Sequence, residues 1–118
     1  MVCAVFIIIP SETPHGPIKG AYTLANGIVE SYPVQLVSLK RGPGAGAYLN
    51  PKVKKLCLAE FEASIFNKLK LYQSLLVAHG DRKSVISISM CFWADVINAM
   101  CWHQALTISS IRSNLVFN

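Results

Sequence analysis

Charge is scarce in this chain of 118 residues, because Asp, Glu, Lys and Arg make up only 14% of it. Hydrophobic residues make up 53%, a composition that argues against intrinsic disorder. Long apolar runs are lacking too, since none reaches the roughly 18 residues of a membrane-spanning helix. No Lys or Arg precedes the apolar run that starts at Val2, so we interpret it as a buried strand rather than a signal peptide. The length suits one domain with its own core.

The four cysteines lack the spacing of a metal site or a redox pair. Cys3, Cys57, Cys91 and Cys101 form no C-x-x-C pair and no Cys/His pattern of a zinc site. We therefore predict buried, reduced thiols in a cytoplasmic protein, and no bound metal.

Acidic residues are few, six against eleven Lys and Arg, so the formal net charge is +5. This excess indicates an anionic partner, which is nucleic acid, a phosphorylated ligand or an acidic membrane surface. The basic loop KRGPGAGAY at 40–48 lacks the interleaved aromatic residues and the motifs of nucleic-acid modules. We therefore predict no nucleic-acid partner.

Apolar runs alternate with segments of helical periodicity along the chain. Strands are predicted over 2–9, 34–39, 84–90 and 105–111, with a further strand near the sheet edge within 50–62. Helices are predicted over 18–31, 61–76 and 94–102, with Lys68 and Lys70 off the apolar stripe of the second helix. The alternation predicts an α/β fold: a Rossmann-like parallel sheet of about five strands with helices on both faces. Because the chain ends shortly after the fifth strand, we expect a truncated domain.

The loop Ser11–Pro17 lies between the first strand and the first helix, where parallel sheets bind ligands. The free amides at a helix start suit a phosphate, and Gly16 would let the backbone approach a ligand closely. Pro17 can open the helix. Alternatively, Gly16 only shapes a tight turn, since neither G-x-G-x-x-G nor a P-loop is present. His15 is a candidate to bind a phosphate or accept a proton, or it has neither role.

Five segments carry a resemblance to a known family: VFIIIPSETPHGPIKGAYTLANGIVE, VQLVSLKRG, YLNPKVKKLCL, SVISISMCFWADVINAM and TISSIRSN. Together they resemble the N-terminal part of a family-4 glycosyltransferase of the GT-B type. Pro10, Ser11 and Gly16 match the P-S-x-x-x-G-G loop of the family, with Pro17 in place of the second glycine. SISMCFWADVINAM resembles the family's S-F-x-x-x-A-D-x-x-N-A segment, and ISSIRSN its x-S-x-R-x-N segment.

The resemblance implies that 1–118 form an incomplete, N-terminal, acceptor-binding domain, and that a C-terminal domain for the nucleotide-sugar donor is absent from this chain. Asp95 would accept hydrogen bonds from sugar hydroxyls, or else only stabilise the start of a helix. Arg112 would clamp a phosphate or carboxylate, or else bond local loop carbonyls. Phe92 and Trp93 would stack on a sugar ring, or else fill the core or an interface. The predicted substrate-binding residues are His15, Gly16, Pro17, Asp95, Asn98, Arg112 and Asn114.

The expected function is transfer of a hexose from a nucleotide sugar to a saccharide or lipid-linked acceptor, with no other cofactor and no activity of this chain alone. The alternative is a non-catalytic α/β module that binds a phosphorylated ligand or a protein partner. The sequence identifies no catalytic residue. We also expect self-association through uncovered apolar surface. Weak docking to the inner face of the cell membrane is a further hypothesis, through Lys52, Lys54, Lys55, Lys68 and Lys70.

Overall fold

A computed structural model describes residues 2–13, 16–42, 48–58 and 64–110 of the chain. Within these ranges there are five strands and three helices. The strands are β1 (Ala4–Ile9), β2 (Val34–Ser38), β3 (Lys54–Cys57), β4 (Val85–Met90) and β5 (Leu106–Ser110). The helices are α1 (Pro17–Ile28), α2 (Ile65–Ala78) and α3 (Phe92–Ala99).

All strand pairs in the sheet are parallel, and the strand order is β3-β2-β1-β4-β5. The predicted fold class is therefore confirmed: an α/β, Rossmann-like sheet of five strands. The central strand β1 is buried along its whole length, which explains why its sequence is a continuous apolar run. The order reverses between β1 and β4, so the switch point of the sheet lies beside the loop that follows β1.

Helices cover both faces of the sheet, as predicted. On one face, Val5, Ile7 and Ile9 of β1 pack against the buried side of α1. On the other face, Phe6 and Ile8 pack in a core that includes residues of α2 and α3. Successive side chains of a strand point to opposite faces, so one apolar run contributes to both cores.

The buried side of α2 differs from the predicted stripe. Phe66, an apolar residue of the predicted helix, is 71% exposed, whereas Lys68, predicted off the stripe, is 8% exposed. Lys68 shares its buried side with Leu69, Tyr72 and Leu76, at the three- and four-residue spacing of one helix side. The prediction failed because lysine was assigned to solvent by residue type, although its long aliphatic stem can be buried.

One face of β5 is uncovered in the described part of the chain. Leu106 and Ile108 are 37% and 53% exposed, and they pair with Ile86 and Ile88 of β4. Paired residues lie on the same face of a sheet, so these four side chains form one partly exposed apolar strip. None of the helices in the described ranges combines the length and apolar character needed to cross a bilayer.

Candidate ligand-binding site at the carboxyl edge of the sheet

The loops that follow β1 and β2 are held together by Glu12. Its backbone N–H donates to the Lys40 carbonyl at 3.2 Å. Its carboxylate accepts from Ser38 Oγ at 3.3 Å and from the Gly42 N–H at 3.4 Å. The Tyr22 hydroxyl of α1 donates to the Glu12 carbonyl, and burial, then the Glu12 charge, raises the pKa of Tyr22 to about 12. Glu12 therefore fixes two loops at the carboxyl edge of the sheet.

Gly42 is required by the close approach of these two loops. A Cβ atom at this position would lie 2.1 Å from Thr13 Oγ1 and 2.8 Å from the Thr13 backbone nitrogen. Any larger residue would therefore push the two loops apart.

Gly16 and Pro17 mark the start of α1. Gly16 has φ +46° and ψ −123°, and a Cβ there would meet nothing within 4 Å. Because L-residues rarely adopt a positive φ, the backbone conformation itself requires glycine. Pro17 occupies the first turn of the helix, where its missing N–H costs nothing. Gly16 therefore shapes the turn, and its direct contact with a ligand stays a prediction.

A cavity of about 470 Å³ lies beyond the carboxyl ends of β1 and β2. It is lined by Pro10, Ser11, Leu39, Lys40, Ile65, Lys68 and Trp93. These residues come from the loops after β1 and β2 and from the first turns of α2 and α3. The cavity thus occupies the place where open α/β sheets bind ligands, next to the switch point.

Lys68 is the most deeply buried polar group of this cavity. Its ammonium donates to the Leu39 carbonyl at 3.0 Å, at the end of β2. Sequence reasoning missed this residue as part of the site. Its position one turn after Ile65 and one turn before Tyr72 was the available signal, because that spacing places it on the inner side of α2.

Trp93 supplies an aromatic surface at the rim of the cavity. Its side chain is 55% exposed, and its ring meets the Phe92 ring edge-on, with 5.1 Å between the centroids. The indole is therefore largely exposed, and it packs on one side against the Phe92 ring. A flat apolar face of this kind can pack against a ring of a ligand.

Asp95 and Asn98, both predicted to bind substrate, take part in a polar network between α3 and the sheet. Asn98 is fully buried; its Oδ1 accepts from Ser87 Oγ at 2.5 Å. Its Nδ2 lies 3.1 Å from three acceptors, the Ser87 carbonyl, Ser89 Oγ and the Ile108 carbonyl, which share its two hydrogens. The Ser89 hydroxyl also donates to Asp95 Oδ1 at 2.5 Å. These bonds remove Asn98 from the candidate site, because its amide is buried and fully used inside the protein.

Asp95 is half-buried in the first turn of α3, with one carboxylate oxygen bound to Ser89. Its position stabilises the helix start, and its contact with a sugar hydroxyl stays a prediction. The other candidates, His15, Arg112 and Asn114, lie outside the described residues. Within the described ranges, no three His, Cys, Asp or Glu side chains converge into a group that could hold a metal ion.

Comparison with known proteins found no matching protein-family model and no matching curated protein.

Proposed function

We propose that this chain is the acceptor-side domain of a glycosyltransferase that moves a hexose from a nucleotide sugar to a saccharide or lipid-linked acceptor. The observation that supports this most is the position of the cavity beside the switch point of a parallel sheet. The segments that resemble family-4 glycosyltransferases include the loop Pro10–Pro17, whose first two residues line this cavity.

The size and lining of the cavity suit a saccharide. Its volume of about 470 Å³ falls within the roughly 300–1,000 Å³ of small-molecule sites. Trp93 provides a face for a sugar ring, and Ser11, Lys40 and Lys68 provide polar groups for its hydroxyls. This is the combination of an apolar surface with a few polar groups that orients a ligand.

The contribution of this domain to the reaction would be positioning. Holding the acceptor hydroxyl against the donor lowers the entropic part of the barrier, while groups on the donor side would stabilise the departing diphosphate. We therefore expect no sugar transfer by the 118-residue chain alone. Incubation with labelled nucleotide sugars and acceptors checks this, and multiple turnover above the blank would contradict it.

Tryptophan fluorescence offers a direct test of saccharide binding, because the chain has only two tryptophans. The Trp102→Phe variant keeps Trp93 at the cavity. The Trp93→Phe variant keeps Trp102, which lies in the loop before β5, at the opposite edge of the sheet. Each variant is titrated with monosaccharides, oligosaccharides and nucleotide sugars.

We expect saccharides to change the emission of Trp93 and to leave that of Trp102 unchanged. No response of Trp93 to any saccharide would contradict it. A response to phosphorylated compounds regardless of any sugar would instead favour the non-catalytic module that binds a phosphorylated ligand.

Docking of a cytoplasmic enzyme to the inner face of the membrane remains a proposal for a reduced set of lysines. Lys68 is excluded because it is buried. Lys54, Lys55 and Lys70 are exposed, and exposed Lys52 lies 3.8 Å from Glu30. Each basic residue contributes roughly 1 kcal/mol near an anionic leaflet, so these four lysines would give weak, reversible docking. Lys52 and Lys54 lie at the amino end of β3, away from the cavity.

A further inference from the structure

We propose that the ligand of the carboxyl-edge cavity carries a phosphate or carboxylate group, and that Lys68 binds this group from inside the cavity. The inference rests on the proposed function, because it specifies the chemical class of the saccharide. It starts from an ammonium that the structure places on the inner side of α2 instead of in solvent.

Burial of an ammonium is costly unless hydrogen bonds or opposite charge replace the lost water. The Lys68 ammonium has three N–H donors, and the structure gives one of them an acceptor, the Leu39 carbonyl at 3.0 Å. Among the described residues, no Asp or Glu side chain forms an ion pair with it. Since Lys68 also lines the cavity, an anionic ligand there would supply the missing opposite charge.

Three further features give the cavity a positive character. Lys40, the residue after Leu39, is a second lysine in the lining. Lys68 lies in the first turn of α2, whose N-terminus contributes the positive end of the helix dipole. Among the described residues, the lining contains no carboxylate. Two cations and a helix start around one cavity favour an anion over a neutral ligand.

Trp93 adds a requirement for a ring. Its exposed indole lines the same cavity as the two lysines. A ligand that satisfies both features has a sugar ring against Trp93 and an acidic group toward Lys68. Sugar phosphates, uronic acids and the phosphate-linked headgroups of glycolipids share this chemistry.

The test is a titration of the Trp102→Phe chain with four probes: glucose, glucose 1-phosphate, glucuronate and inorganic phosphate. A hydrogen bond to a charged group predicts that the two acidic sugars bind roughly 10- to 100-fold more tightly than glucose. Lys68→Met removes the ammonium and keeps an unbranched apolar stem, so we expect it to abolish this preference. Lys70→Met is the matched control, because Lys70 is an exposed lysine on the same helix, and should preserve it.

Equal binding of glucose and the acidic sugars would overturn the inference and leave the proposed function standing. Lys68-dependent binding of inorganic phosphate, with no gain from a sugar, would instead contradict the proposed function and support an anion site. If Lys68→Met does not fold, the same titrations are made with Lys40→Met, and with the Trp102→Phe chain at low and high salt. A preference for acidic sugars that neither high salt nor Lys40→Met weakens would also overturn the inference.

A lipid-linked source is distinguished with phosphatidylcholine vesicles that contain or lack phosphatidylglycerol. Lys68-dependent binding to the anionic vesicles, with no response of Trp93 to the soluble acidic sugars, assigns the anion to a lipid headgroup. Response to the soluble sugars assigns it to the saccharide itself. If Lys68→Met changes neither the binding to anionic vesicles nor the response of Trp93 to the soluble acidic sugars, the role of Lys68 is refuted.

Discussion

Replacement of Asn98 by Ala should be among the most destabilising single changes in the chain. The side chain is fully buried between α3 and the sheet, and it makes four hydrogen bonds. The Ser87 hydroxyl donates to Asn98 Oδ1, so the Tyr72 hydroxyl, 2.5 Å from Ser87 Oγ, must donate to this serine. Loss of Asn98 would therefore leave the Ser87 hydroxyl proton without an acceptor in a space closed to water.

The expected cost follows from these contacts. A buried donor without a partner costs about 1–3 kcal/mol, and each lost hydrogen bond contributes about 0.5–1.5 kcal/mol net. The Ser87 and Ile108 carbonyls each lose one hydrogen bond, the one from Asn98. We therefore expect a total loss of stability of about 3–4 kcal/mol. Because domains are stable by about 5–15 kcal/mol, this change removes a large fraction of the free energy of unfolding.

Asn26→Ala is the matched control. Asn26 also bonds through both ends of its amide, to the Tyr48 carbonyl and from the Asn50 N–H, each at 2.7 Å. Asn26 is only half-buried, so water can replace these bonds, and the cost should be about 1 kcal/mol or less. Urea unfolding followed by circular dichroism measures both, with an unchanged m value as the criterion for a comparable transition. Equal losses in the two variants would refute the role assigned to the buried network.

Three further outcomes follow from the structure. Gly16→Ala should destabilise the fold by about 1–2 kcal/mol because φ is +46° there. Gly27→Ala, in open space on α1, should instead stabilise it by about 0.5–1 kcal/mol. Thermal unfolding temperatures that shift in the same direction by similar amounts in the two variants would contradict this. Burial raises the pKa of Cys101 from 9.0 to about 12, as it does for Tyr22 from 10.0. As the pH rises, the unfolded chain therefore loses these protons before the folded chain does. The free energy of unfolding should be constant below about pH 9 and fall toward pH 12. Urea midpoints that rise over this range would refute this expectation. The exposed strip on β5 should cause self-association that Ile108→Lys reduces, and sedimentation of the unaltered chain as a clean monomer at high concentration would count against it.

Much of the fold was predictable because its signals are local. The continuous apolar run of β1 indicated a strand buried on both faces, and the structure buries all six of its residues. The helix start at Pro17 was signalled by a residue that suits only the first turn. The edge position of β3 was indicated by its lysines, and Lys54 and Lys55 are exposed at the edge of the sheet.

The site was less predictable because its contacts are tertiary. The alternation of Ile and Ser in β4 is typical of a strand with one face in water, yet Ser87 and Ser89 are fully buried. They are buried because Asn98, from the following helix, satisfies them. The same limit applies to Lys68, whose carbonyl acceptor lies 29 positions away in the chain.

The most direct test of acceptor binding in the carboxyl-edge cavity is mapping of backbone amide chemical shifts while the chain is titrated with the saccharide that changes Trp93 emission most. We expect the largest shifts on Ser11, Lys40, Lys68 and Trp93, which line this cavity. Shifts centred instead on the exposed strip of β5, or at the amino edge of the sheet around Trp102, would contradict the claim that this cavity binds the acceptor.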